Sequence, residues 1–482
     1  LDVGDHVRII RKSNYECVHR TRVRQLFPLF HQGRSFVSTG YQLCAINEID
    51  ALSRRHGMQL PEIDESVFTN LWELSKKMRP FTPEVKPLTW DELISKSPSS
   101  KRKRIQHARE LYLRDGLQPQ DNNVTAFIKY EKWEHHKMEE ELVKPMEHNS
   151  PRLIQYRSFK YTYKLLTMLR PIEDMFWKRD RNMKWLPMHK RTFAKGMTSW
   201  QIAANLRWKW EQFKDPIAIL LDYSRMDAHM REKLRENAEW RQYLRFNRTK
   251  QFRKMLEVQR VNRVSTRHGL KYIIRATMMS GEGNTAIGDS ETNEVILCDT
   301  YTLEALLTIC GDDAVIMMER RDYDPSSEQN FAKYGMVAKT EICLSFSDIT
   351  FCQCKPLRIS GGWRMVRDPF RVMSRSAYTC KQYQGKAWLK LMSAIGIGEL
   401  SCNTGVPVLQ EFAMMIWRSA GYGRDSIFEK DYMVRRMDKI VTKRVPVTQA
   451  ARLDFALAFE ISVTEQIGME THFQTVDLPC LL

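Results

Sequence analysis

The chain has 482 residues, 43% of them hydrophobic and 28% charged, with 21 Gly and 18 Pro, a globular composition that excludes collagen-like, mucin-like and largely disordered chains. Lys and Arg number 76 against 58 Asp and Glu, a formal charge of +18 that favours a polyanionic partner without separating RNA, DNA and an anionic membrane surface.

No stretch approaches the roughly 18 to 20 apolar residues that cross a bilayer, and the opening LDVGDHVRIIRKSN lacks the apolar region of a secretory signal. The sequence reads as soluble. Leu at position 1 suggests a piece or processed product of a longer chain, whose remainder could carry a membrane anchor. The ten cysteines stand mostly singly in apolar segments, as expected of a reduced intracellular compartment. Cys352 and Cys354 form a one-residue-spaced pair with no second pair at zinc spacing, so structural zinc is poorly supported.

In chain order, LDVGDHVRIIRK predicts a strand and NEIDALSRRHG a helix. ISKSPSSKRKR at 94–104 breaks the composition and precedes the helical IQHARELYLRDG, which Gly116 would stop. The KRKR run fits a nuclear-import signal, an RNA-facing patch or a solvated helix start. VTAFIKYEKWEHH starts strand-like, and PRLIQYRSFKYTYKLLTML sets basic residues beside aromatic ones, which suits a nucleotide-phosphate channel or a solvated edge. PIAILL predicts a buried strand ending at Asp222, followed by helix to about 247. KYIIRATMM predicts a strand, SGEG a turn, and NTAIGDSETNEVILCDTYTLEALL a long helix. GDD at 311–313 between apolar stretches predicts an acidic β-hairpin. After 370, GVPVLQEFAMMIWRSAG and QAARLDFALAFEISVTEQIGM predict helices whose Met and aromatic stripes are core.

The chemistry concentrates in Asp222, Asp227, Asp312 and Asp313. Carboxylates at two separated strand ends can converge on Mg²⁺, a hard cation that takes oxygen ligands and bridges substrate phosphates. Between them, Ser280, Gly281, Thr285 and Asp289 combine permissive glycine with hydroxyl and short polar side chains able to orient a sugar and a template nucleotide. GDD alone is a weak signal, whereas DxxxxD, SGxxxT and GDD in that order are stronger. No GxxxxGK[ST] loop is present to indicate a P-loop helicase.

These motifs resemble those of the RNA-dependent RNA polymerases of positive-strand RNA viruses, in particular the tombusvirus-like group. FIKYEK, PRLIQYR, AKGMTSWQ, LDYSRMDAHM, SGEGNTAIGD, GDDAVIM, FCQCKPLRI, RMVRDPFRVMSR and GVPVLQ carry the likeness collinearly over about three quarters of the chain. The resemblance implies an α+β right hand of fingers, palm and thumb, closed by fingertips, with the palm on an antiparallel sheet. Its expected boundaries are 1–210 for an N-terminal extension and fingers, 211–229 for part of the palm and 230–270 for a fingers insertion. The palm would resume over 271–369 and the thumb occupy 370–482. The implied activity is template-directed RNA synthesis from NTPs with two Mg²⁺ ions, Mn²⁺ being a substitute, and de novo initiation.

By the same resemblance, Asp222 and Asp312 would hold both metals, Asp313 would support them, and Lys339 would give a proton to pyrophosphate, with Lys333 and Lys355 as rivals. Asp227, Ser280, Thr285 and Asp289 would contact the ribose, and Lys129, Arg152 and Arg157 the triphosphate or template, with Lys132 less secure. Gly281, Phe351, Cys352 and Gln353 would face RNA, the last three in a hairpin that grips the primer end. Expected partners are RNA, NTPs and viral replication proteins or an upstream segment, at membrane-associated complexes in the host cytoplasm.

One position departs from the family pattern: Asp289 stands where most relatives have Asn, and an ionised Asp donates no hydrogen bond and repels Asp227. Ser280 and Thr285 would then carry more of the sugar selection, or Asp289 would point elsewhere. A reverse transcriptase or DNA polymerase would use the same acids, and a non-catalytic RNA-binding scaffold would share the charge. The scaffold has no reason to place matched acids at two strand ends.

Overall fold

The computed structural model describes residues 3–11, 23–28, 37–135, 150–423 and 440–479. Cys17, Cys480 and the end of the WEHH run lie outside them. Helices and mainly antiparallel sheets alternate, in agreement with the α+β expectation.

A four-stranded antiparallel sheet lies at the centre, in the order Leu306–Cys310, Asp313–Glu319, Pro216–Tyr223, Ala338–Cys343. PIAILL is continuously apolar because this sheet is covered on both faces. Ile217, Ile219 and Leu221 join one core cluster with Ile316, Met318, Val295 and Ile296. Ala218 and Leu220 join another with Val315, Met317, Ala203 and Leu206. Thus the Thr285–Thr300 helix covers one face and the Ser199–Trp210 helix the other.

The long helix expected from 284 to 307 ends at Thr300. Leu306–Cys310 instead pairs with Asp313–Glu319, so cross-strand hydrogen bonding and burial override the helical propensity of LEALL. KYIIRATMM likewise stops at Arg275, where Ala276 takes a φ of 47°.

A five-stranded sheet runs in the order Val7–Arg11, Lys271–Arg275, Val261–Thr266, Val124–Ile128, Leu153–Tyr156. One of its pairings, Val124–Ile128 with Val261–Thr266, is parallel. Arg24–Gln25 pairs with Tyr378–Thr379, and Val23, Leu26 and Phe27 pack in the core of the C-terminal helices. That core contains Phe412, Met415 and Ile416, as the apolar stripe predicted. The last helical pattern is two helices, Gln449–Phe459 and Val463–Thr475, separated by Glu460 in the left-handed region. Among the described residues, no helix is long and apolar enough to cross a membrane.

Candidate active site

Strand register brings the acids together. Leu221 pairs with Ala314, so the next residues outward are Asp222 and Asp313 on neighbouring strands. Both then share the face of Ala218, Leu220, Val315 and Met317, because side chains alternate along a strand. Asp312 occupies the two-residue turn closed by the Cys310–Asp313 pair, where Gly311 has a φ of 73°. Asp227 follows in the short Met226–His229 helix, and its carbonyl accepts a hydrogen bond from Met278 N at 2.9 Å. Between these acids Arg225 sits at a φ of 58°, a left-handed conformation costly for a residue other than glycine and concentrated at functional sites.

The carboxylates perturb one another. Burial, then repulsion from Asp312, pushes Asp313 up to about 6, opposed by a hydrogen bond from Cys352. Asp312 opens to the cleft at the tip of its turn, yet the protein packed around it raises its carboxyl, with Asp227 and Asp222 adding to the shift and Arg152 opposing it. This is a concentration of hard oxygen donors, and it suits Mg²⁺. Among the described residues, no three His, Cys, Asp or Glu side chains converge closely enough to hold a metal alone. Mg²⁺ commonly uses only one or two carboxylates and takes water and substrate phosphate for the rest.

The SGEG turn is fixed against the five-stranded sheet. Ser280 Oγ donates to Leu153 O at 2.8 Å and accepts from Gln155 N at 3.3 Å. Gly281 N donates to Gln155 O at 2.8 Å, and a Cβ at Gly281 would stand 2.6 Å from that oxygen. Glycine is therefore required by close backbone approach rather than by a positive φ. Thr285 Oγ1 donates to Met279 O at 2.8 Å and Glu282 O at 3.1 Å. Both hydroxyls spend their hydrogen on backbone and keep acceptor capacity for a sugar. Asp289 lies one turn further along the helix, with Oδ1 buried and without a hydrogen-bond partner among the described residues.

The basic residues divide. Lys129 and Arg152 are partly exposed and share Glu131, at 3.1 and 3.5 Å, and Arg152 acts electrostatically on Asp312. Arg157 contradicts the expectation of a triphosphate contact. Its side chain is 0% exposed, paired with Glu282 at 2.5 Å and bonded to Asn122 O, Val258 O and Asn262 Oδ1. It ties the SGEG turn to the neighbouring sheet. Lys132 instead donates to the carbonyls of Arg375 and Tyr378, while Arg375 Nη2 donates back to Lys132 O. Lys339 pairs in register with Asp222; Lys333 is equally exposed but bonds Asn330, away from that register position.

Phe351 is also a correction. It is buried in the core beneath the sheet, since the tight turn Phe351–Cys354 puts the ring inward and leaves Cys352 and Gln353 at its tip with φ of 49° and 61°. Those two tip residues line a cavity of about 390 Å³ with Lys132, Arg367 and Arg371.

Sequence reasoning missed Arg55, Ser290 and Asn293. Arg55, in the π-helical turn Leu52–His56, interacts electrostatically with Asp227 and Arg152. Ser290 accepts from Gly311 N at 2.9 Å, and Asn293 bonds the same turn. Their i, i+3 spacing on a polar helix face was the available signal.

Residues 50–480 match the family described as viral RNA dependent RNA polymerase. The chain is 28% identical over 432 residues to the RNA-directed RNA polymerase of oat chlorotic stunt virus (isolate United Kingdom), covering 83% of this chain and 55% of that protein. It is 30% identical over 383 residues to that of tobacco necrosis virus (strain A), covering 74% and 50%. With that of tomato bushy stunt virus (strain Cherry) it shares 26% over 383 residues, covering 73% and 43%. The chain thus spans about half the length of these relatives. Because the match runs through every strand and helix that surrounds Asp222 and Asp312, this chain belongs to the viral RNA dependent RNA polymerase family.

Proposed function

We propose that this chain is the catalytic region of an RNA-directed RNA polymerase that copies a positive-strand viral RNA from NTPs. The observation that carries this reading is the register that sets Asp222 beside Asp313, with Asp312 at the adjoining turn, on a sheet backed by the helix that follows the SGEG turn. In this reading the four-stranded sheet is the palm and the five-stranded sheet belongs to the fingers. Because Lys271–Arg275 pairs within the latter, this reading would set the fingers boundary just beyond 275 rather than at 270. The helices after 370 form the thumb, and the reciprocal Lys132 and Arg375 bonds support a closed hand.

Asp222 and Asp312 would hold two Mg²⁺ ions, with Asp313 beside them, and those ions when bound supply charge neutralisation and a lowered pKa for the attacking 3′-hydroxyl. The chain's own groups do the rest. Asp227, Ser280 and Thr285 orient the ribose, and a buried polar group left without its 2′-hydroxyl would penalise a deoxy substrate. Lys129, Arg152 and Arg55 offer cations to the triphosphate. Lys339, in register with Asp222, is placed to give a proton to the departing pyrophosphate. Synthesis without a primer, and membrane-bound replication complexes in the host cytoplasm, are further parts of the proposal.

The test is labelled nucleotide incorporation on a defined RNA template with Mg²⁺, with and without annealed primer. Asp312→Ala should retain RNA binding and fall below about one hundredth of wild-type synthesis. Template-dependent product that persists in Asp312→Ala would overturn the assignment, and product without primer would support de novo initiation.

A further inference from the structure

A line of aromatic rings leads outward from the SGEG turn. Its inner end touches the turn, since a Cβ at Gly281 would stand 2.9 Å from Tyr156 Cβ. Tyr156 lies against Phe159, ring centroids 6.1 Å apart at 23°, and Phe159 against Tyr163, 6.1 Å apart at 25°. Phe159 opens the Phe159–Lys178 helix and remains 44% exposed. From the Ser99–Asp115 helix, Arg104 places its guanidinium 4.7 Å from the Phe159 ring centre.

The same helix carries the KRKR run. Arg102, Lys103 and Arg104 are all exposed, and only Ile105 and Ala108 of its 17 residues are buried. Arg102 also ties down the end of the preceding helix, donating to Ser97 O at 3.0 Å and Ser95 O at 3.2 Å, which leaves its charge and those of Lys103 and Arg104 at the surface. Adjacent cations repel, and the first turn of the helix has no acidic residue to offset them. A large ring left nearly half in water gives up hydrophobic stabilisation. Together, a partly exposed aromatic side chain and clustered cations are the two components with which proteins hold unpaired nucleic acid, bases on rings and phosphates on cations. A duplex hides its base faces and could use only the cations.

We propose that Tyr156, Phe159 and the Arg102–Arg104 cluster form a docking strip for the single-stranded template that has yet to reach the copying site. The strip rests on the polymerase reading for the direction in which RNA moves, and on charge and ring geometry for the class of ligand. Its inner end meets the turn that opens the Thr285–Thr300 helix, which holds the Asp312 turn through Ser290 and Asn293, so a strand on the rings leads towards Asp312.

The test uses the full chain with primed RNA templates carrying a single-stranded 5′ overhang of about two or about twelve nucleotides, lengths that fall short of and fill an ordinary strand-binding site. Variants are Phe159→Ala and the triple change Arg102→Gln, Lys103→Gln, Arg104→Gln; the single change keeps the test valid should the triple variant misfold. For the long overhang the template KM should rise about tenfold in either variant, as expected for loss of one stacked base or several phosphate contacts. For the short overhang it should stay within about twofold. In the triple variant, the salt dependence of single-stranded RNA binding should flatten by about two units of log–log slope, about 0.7 for each lost phosphate contact. Equal effects on both overhangs, or an unchanged salt slope together with wild-type use of the long overhang, would overturn the strip. If wild-type protein copies neither template, the polymerase reading fails. In that case wild-type affinity of both variants for single-stranded RNA overturns the strip, and weakened affinity supports it.

Discussion

Asn293 donates from Nδ2 to Gly311 O at 3.0 Å and reaches Asp312 O at 3.3 Å. Ser290 accepts from Gly311 N at 2.9 Å while donating to Ala286 O, so the peptide groups on both sides of Asp312 are held by one helix. That helix begins at Thr285 and carries Asp289, which links the proposed ribose contacts to the acidic turn. Asn293→Ala should lower kcat by about 10- to 100-fold, the scale for a reacting group misplaced by about 1 Å. The Mg²⁺ concentration for half-maximal rate should rise, while the KM for NTP stays near wild type. Steady-state kinetics over a Mg²⁺ titration, with the thermal midpoint as control, checks this; a KM change with unaltered kcat and Mg²⁺ response would refute it.

Gly281→Ala should destabilise the protein by about 1–3 kcal/mol, the usual cost of overpacking. The new methyl would meet Gln155 O at 2.6 Å and Tyr156 Cβ at 2.9 Å, both on a strand that cannot swing aside like a side chain end. Denaturant unfolding measures the loss. A midpoint equal to wild type would mean that the turn and the strand separate freely.

Arg152 and Arg157 should respond oppositely to truncation. Arg157→Ala leaves Glu282 charged and buried, and breaking such a pair costs about 3–5 kcal/mol. Arg157→Met combined with Glu282→Gln should recover most of that loss. Arg152 has a side chain 43% exposed, so Arg152→Ala should leave the unfolding midpoint in place and raise the KM for NTP. Unfolding curves and NTP titrations on the same preparations decide the matter. A stable Arg157→Ala with raised KM would return Arg157 to the substrate channel.

These two arginines also mark the limit of what the sequence conveys. Asp222 and the GDD acids were legible because PIAILL reads as a covered strand and GDD sits between two apolar stretches, and adjacent strand ends bring carboxylates together. PRLIQYR has no comparable signal for Arg157. Whether its guanidinium faces the cleft or the interior depends on Glu282, 125 residues away, and on Asn262, 105 away. Phe351 was misread for a related reason: the left-handed turn at Cys352 and Gln353 turns the ring inward, and φ is not written in a residue name. The helix predicted through 307 ended early because strand pairing, a non-local term, outweighed local propensity.

Asp289 yields a prediction with a definite sign. Burial first, then Asp227, Asp312 and Glu239, hold its carboxyl well above the ordinary range, with Arg235 opposing. A proton retained there restores the O–H donor that an ionised Asp lacks, so the departure from Asn is smaller chemically than in the sequence. Because the folded-state pKa is raised, the stability this proton contributes is complete below about pH 3.9, the unfolded value, and is lost as pH rises through the folded value. Asp289→Asn carries its donor at every pH. The thermal midpoint of Asp289→Asn minus that of wild type should therefore be small near pH 4 and grow towards neutrality. The same substitution should alter NTP affinity or the preference for ribose over deoxyribose. A difference in midpoint that is flat with pH, together with unchanged affinity and sugar preference, would remove Asp289 from the sugar contact and leave Ser280 and Thr285 to make it.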